Sequence, residues 1–181
     1  MPAARSSDPR PTNRRDPITE ARRQWEAHGW AEAADGMELV TSLVRAHQLV
    51  MERIDTVLRP LDLSFARYEV LRLLSFTRDG AMPMTRLGSL LQVHPTSVTS
   101  AVARLVKQGY ATRERGAHDG RVVLASITET GREVIEQATQ RLNAEVFASP
   151  GISPEETAQL TALLGALRRA AGDDVAPSAT Q

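Results

Sequence analysis

The sequence predicts a mainly α fold carrying one small β-hairpin. Apolar residues recur at three- and four-residue spacing along most of the chain, the mark of helices that bury one face. Prolines and glycines break that pattern at intervals of roughly one helix length. Only one stretch reads as strand–turn–strand, with β-branched residues after a glycine-rich turn.

Residues 1–15 are rich in Pro, Arg and Ser with almost no large apolar side chain, the composition of a disordered tail. Asp16-Pro17 offers a cap and a first-turn proline, so a short helix over Pro17 to about His28 is predicted, within an extra segment spanning 16–34. Trp25 and Trp30 belong to that segment. Asp35-Gly36 is read as opening a long helix that Pro60 ends, its stripe made by Val40, Leu43, Val44, His47, Val50, Met51, Ile54, Val57 and Leu58. Leu63-Ser64 leads into a helix from Phe65 to about Phe76, and Arg78-Asp79-Gly80 turns the chain. Thr85–Leu91 is a short helix.

Pro95 to Gln108 is the helix with the clearest signals. Val98, Ala101, Val102, Leu105 and Val106 make one stripe, Pro95 suits the first position, and Gly109 is placed for a left-handed cap. Tyr110–Arg115 and Arg121–Ile127 are predicted strands about Gly116 and Gly120. Thr128 and Glu129 start a helix running to about Ala148, which Pro150-Gly151 breaks. Ser153-Pro154-Glu155-Glu156 is a capping box for a last helix to about Ala171. Helix, turn, helix, hairpin is the order of a winged helix-turn-helix. Its lobe covers about 64–128, and long helices flank it over 35–59 and 129–171, for a domain of 35–171 with a polar tail at 172–181. The flanking helices carry more apolar face than so small a lobe can cover, so they are expected to form a dimer.

The chemistry lies on the face of the 95–108 helix opposite its stripe. Thr96, Ser97, Thr99, Ser100, Arg104 and Lys107 stand there with Ala103 and no acid, whereas a merely solvated face mixes both signs. Arg113, Arg115 and Arg121 gather at the hairpin with His118. Between Ala81 and Ile127 six Arg or Lys face only Glu114 and Asp119, although the whole chain has zero net charge. A hydroxyl- and Arg-bearing helix fits a major groove, and a basic hairpin fits phosphates and a narrow minor groove. Double-stranded DNA is therefore the expected partner.

Other classes lack their motifs. There is no P-loop, no dinucleotide-binding glycine fingerprint, no Gly-x-Ser-x-Gly and no nucleophile–base set, so no enzyme is expected. The four histidines lie far apart and cysteine is absent; no metal or cofactor is expected, and a reducing cytoplasm fits. No apolar run is long enough to span a membrane, and no secretory signal is visible. The other class open to such a chain is a winged-helix module that docks a protein.

About residues 36–170 resemble the MarR family of dimeric bacterial transcription regulators. The resemblance rests on the helix after His94-Pro95, its Leu105–Gly109 end, Asp119-Gly120-Arg121 in the hairpin and Ile127-Thr128-Glu129-Thr130-Gly131. It implies a homodimer on a pseudo-palindromic operator, with Asp119 holding Arg121 for the minor groove. It also implies a repressor released by an organic acid or aromatic anion in a cleft between the dimer helices and the DNA-binding lobe. Trp25, Trp30, Arg45, His47, Arg67, Tyr68 and Arg72 are the candidates for that cleft, since Arg clamps carboxylates and aromatics stack on rings. Trp25 and Trp30 can equally pack on the dimer body, and His47 can be an interface residue. His94 departs from the family, which more often has Ser or another good cap there, so this helix start is expected to be less well capped.

Overall fold

The computed structural model describes residues 16–115 and 122–175, and divides after Glu52 into two compact units. The first holds helix α1 (Pro17–Ala27) and the beginning of helix α2 (Ala31–Leu58), which runs on into the second.

In the first unit Asp16 caps α1, its carboxylate accepting from the Thr19 amide at 3.1 Å. Gly29, at φ +84°, ends the helix. The Trp30 amide returns to the Trp25 carbonyl and the Gly29 amide to that of Glu26, the paired bonds of a Schellman turn. Such a turn brings the residue after the glycine onto the last helical turn, and here that contact is aromatic: the Trp25 and Trp30 rings lie edge to face, 5.3 Å apart. The new helix begins at once, at Ala31, so Asp35-Gly36 is not a helix start; both residues lie inside α2. The Asp35 and Glu38 carboxylates, one turn apart on α2, each meet Nη1 of Arg22 at 2.6 Å. That clip, together with the turn, holds α1 against α2.

The second unit begins at Arg53, with the end of α2 followed by a single turn of 3-10 helix over Arg59–Leu61. It contains α3 (Phe65–Ser75), β1 (Ala81–Pro83), α4 (Met84–Leu91), α5 (Pro95–Lys107), β2 (Ala111–Arg115), β3 (Val123–Ile127), α6 (Glu129–Leu142) and α7 (Pro154–Ala170). The sheet is antiparallel in the order β1-β3-β2, with Ala125 opposite both Met82 and Arg113. Strand β1 is an addition to the predicted hairpin. Three residues ending in a proline give no readable alternation, and the edge position tolerates a residue without an N–H. Leu58, Leu71, Leu74, Leu87, Leu105, Ile135 and Leu142 fill the core.

Helix α6 ends earlier than the sequence suggests. Asn143–Phe147 widen into a π-turn, the Ala148 amide returning to the Asn143 carbonyl. Arg53 of α2 meets this turn, donating to the carbonyls of Glu145 (2.9 Å), Ser149 (2.8 Å) and Pro150 (3.1 Å) and satisfying groups a helix end leaves open. Helix α7 starts at the expected capping box, Ser153 and Glu156 bonding reciprocally. Leu160, Leu163 and Leu167 remain exposed on it, Leu163 by 68%. On α2, Leu39, Val40, Leu43 and Val44 are exposed as well. No described helix is long and apolar enough to cross a membrane.

Candidate nucleic-acid interface

Helix α5 buries Val98, Ala101, Val102 and Leu105. The same twist of 100° per residue that buries this stripe puts Thr96, Ser97, Thr99, Ser100, Arg104 and Lys107 in solvent. Val106, expected in the stripe, sits at its margin and is 39% exposed. The N-terminus has a cap, though a long one. His94 is the cap residue, and its ring Nδ1 lies by the Thr96 hydroxyl and accepts from the Thr96 amide at 3.4 Å, so an imidazole nitrogen stands in for the usual hydroxyl. At the other end Gly109, at φ +76°, closes a second Schellman turn, with the Tyr110 amide on the Leu105 carbonyl at 2.9 Å. Arg104 and Lys107 in the last turn oppose the negative end of the helix dipole.

Strand β2 projects Arg113 and Arg115, both exposed, two residues apart and so on one face. His118, Asp119 and Arg121 lie outside the described residues.

Helix α6 is locked to the end of α5 by Thr128. Its hydroxyl donates to the Gly109 carbonyl at 2.7 Å and accepts from the Gly131 amide at 3.0 Å. Its own amide donates to the Tyr110 carbonyl at 3.1 Å. These bonds tie the end of α5 and the chain entering β2 to the first turn of α6.

The candidate effector residues fall in both units, Trp25, Trp30, Arg45 and His47 in the first and Arg67, Tyr68 and Arg72 in the second. Trp25 and Trp30 pack on each other, and the His28 ring stacks on Trp30. Arg45 and His47 are exposed on α2, with Arg45 donating to Gln48 at 3.3 Å. Within the second unit Tyr68 and Arg72 face α6. Tyr68 is only 7% exposed and its hydroxyl lies 3.2 Å from that of Thr139, which makes it a core residue. Arg72 donates from Nε to the same Thr139 hydroxyl at 3.0 Å and from Nη2 to the Ile135 carbonyl at 3.2 Å, with its guanidinium over the Phe76 ring. Next to Tyr68 in sequence, Glu69 is partly buried, and the loss of water pushes its carboxyl above the ordinary glutamate range.

Arg67 points elsewhere. Its Nη1 donates to the Gln108 amide oxygen at 2.8 Å and its Nε to the Ser64 hydroxyl at 3.2 Å, beside the recognition helix. It shares with Ser64, Ser97, Ser100 and Arg104 the wall of a groove of about 470 Å³ between α3 and α5. Ser64 and Gln108 escaped notice in the sequence. One reads as a helix cap and the other as a helix end, and only the packing of α3 on α5 joins them.

Comparison with known proteins agrees with this arrangement. The model of the MarR family matches residues 61–122. The structure of Sco5413, a MarR family transcriptional regulator from Streptomyces coelicolor, is 42% identical and superposes with a TM-score of 0.70 over 78% of this chain and 99% of its own. This chain belongs to the MarR family. The HTH-type transcriptional regulator YhbI of Bacillus subtilis is 32% identical over 85 residues, 47% of this chain and 54% of YhbI, so the match spans about half of that relative. A MarR variant from E. coli, solved with operator DNA, shares the fold at 23% identity and a TM-score of 0.67, over 75% of this chain and 96% of that one. For this MarR-family chain, α4 and α5 are the helix-turn-helix and β2–β3 the flanks of the wing.

Proposed function

We propose that the chain is a DNA-binding transcription regulator that acts as a homodimer, a repressor released by a small organic acid or aromatic anion. One observation carries the DNA reading: the outer face of α5 is exposed, hydroxylated and basic, with no acid on it. Sterically it presents short side chains that can approach base edges, and Arg104 can reach a guanine. Membership of a family of transcription regulators, and the E. coli relative's complex with operator DNA, support the same reading. The exposed leucines of α7 and the apolar residues at the start of α2 support a second copy as the partner that covers them.

The wing contributes through Asp119 and Arg121. As the family resemblance implies, the carboxylate can hold the guanidinium and lower the rotamer entropy lost on docking. The Arg then enters a narrow, A·T-rich minor groove.

Sequencing genomic fragments retained by the protein, followed by footprinting, tests the reading. Two protected half-sites about 10 base pairs apart are expected. A chain that shifts no duplex at low salt refutes it and leaves the protein-docking class. For the wing, Asp119→Ala should weaken binding even though it removes a negative charge close to DNA; tighter binding would show that the carboxylate only repels. An effector must bind the DNA-free form more tightly by the factor with which it weakens DNA. A screen of aromatic and carboxylic acids by melting temperature, repeated with operator present, checks that equality.

A further inference from the structure

We propose that the groove between α3 and α5 seats one backbone phosphate of the bound duplex, that Arg67 is the cation that meets it, and that Gln108 positions Arg67. The proposal rests on the DNA-binding reading above and adds a contact from outside both the recognition helix and the wing.

Arg67 is held as a poised donor is held. Its side chain is only 14% exposed, so its path is set by packing. Two of its five N–H groups go to neutral acceptors, the Ser64 hydroxyl at 3.2 Å and the Gln108 amide oxygen at 2.8 Å. The nearest carboxylate, Asp62, stands off at 4.0 Å and is itself largely in water. The geometry is set by neutral oxygens, and the Asp62 carboxylate stands at the far limit of an ion pair.

Gln108 sets that geometry because it is fixed at its other end. Its Nε2 donates to the Asp62 backbone carbonyl at 2.7 Å and to the Asp62 carboxylate at 2.8 Å. Asp62 is one of two non-glycine residues at positive φ among those described, at +49°. The amide of Gln108 therefore reads the tight turn before α3 with its nitrogen and aims Arg67 with its oxygen. An arginine positioned in advance loses little side-chain entropy when it docks.

The groove's own lining selects the anion. Ser97 and Ser100 line it from α5, Arg104 adds positive potential, and among the described residues no acid or aromatic side chain is part of the wall. An aromatic acid would find no ring to stack on. A phosphate oxygen needs only N–H and O–H donors around a positive charge, and the groove lies alongside the helix face that enters the duplex.

The test uses the full-length protein and operator duplexes carrying a single neutral methylphosphonate at each backbone position in turn, with affinity read by fluorescence anisotropy. For the wild type, one position per half-site assigned to Arg67 should cost on the order of tenfold. In Arg67→Ala that position should fall silent while the other sensitive positions still cost, which also shows that the variant is folded and seated. The log–log salt slope should drop by roughly one per protomer, on operator and random duplex alike. Gln108→Ala should weaken binding several-fold while keeping most of the slope, since the charge remains and only its placement is lost. The proposal is overturned if Arg67→Ala keeps the full wild-type pattern, or if its loss is confined to operator and spares random DNA, which would make Arg67 a base reader. A wild type that binds no duplex overturns the DNA reading itself, a result distinguishable from either of these.

Discussion

Gly131→Ala tests the joint between α6 and the end of the recognition helix. In an exposed helix this change usually stabilises by about 0.5–1 kcal/mol, since alanine has less backbone freedom to lose. Gly131 is buried in the first turn of α6, against the chain at Tyr110. A Cβ there would lie 2.1 Å from the Tyr110 carbonyl oxygen and 2.9 Å from Cγ1 of Ile127. The carbonyl cannot simply yield, because it accepts from the Thr128 amide, and the Tyr110 amide closes the α5 cap on Leu105. Relief requires α6 to shift by roughly 1 Å, in a core packed to crystal density. Overpacking of this kind costs about 1–3 kcal/mol, and straining the Thr128 bonds adds about 1 kcal/mol. Set against the propensity gain, the net loss is about 1–3 kcal/mol, or roughly 3–10 °C in Tm for a chain of this size. Urea unfolding followed by circular dichroism, at several protein concentrations because a dimer's stability depends on them, measures it as a lower midpoint at unchanged slope. Gly36→Ala is the matched control: that residue lies inside α2, and a Cβ added there would meet nothing within 4 Å, so the variant should gain stability. A Gly131→Ala protein as stable as the wild type would refute the close approach.

Arg104→Ala should weaken operator binding by about 1–3 kcal/mol with little change in Tm; equal losses on operator and random duplex would reduce it to a phosphate contact. Leu163→Glu places a charge in the exposed stripe of α7 and should shift light scattering toward the monomer, whereas an unchanged dimer would put the interface elsewhere. Glu69→Gln removes a carboxyl whose burial holds its proton above the ordinary glutamate range. The folded state therefore binds that proton more tightly than the unfolded state, and stability declines as pH rises through the raised value. The Gln variant should flatten that decline just above the ordinary glutamate range, checked by urea midpoints across pH; an unchanged profile would show that Glu69 adds nothing to it.

Much of the fold was legible because its signals are local. Pro95, the Val98–Leu105 stripe and Gly109 set the bounds of α5 within a residue, since helical period and caps act over three or four neighbours. Thr128 and Ser153 marked helix starts for the same reason. Local signals also misled. Asp35-Gly36 reads as a start, but the Schellman turn at Gly29 had already launched α2, and Asp35 serves Arg22 instead. His94 departs from the usual cap, and the reach of its ring nitrogen to the Thr96 amide, 3.4 Å, is a matter of side-chain geometry.

By itself, then, the sequence determined the order of helices and strands, the polar face of α5 and the basic flank of the wing, all consequences of backbone period and of neighbours along the chain. The tertiary structure alone decided where the long side chains go. Three arginines show it: Arg67 ends on Gln108, 41 residues away, Arg72 on Thr139, 67 away, and Arg53 on the Glu145 carbonyl, 92 away. An arginine reaches several ångströms in any of many rotamers, so its partner is chosen by which surface packing brings within reach. That is why Arg67, named among the candidates for an effector cleft, is found lining the groove beside α5.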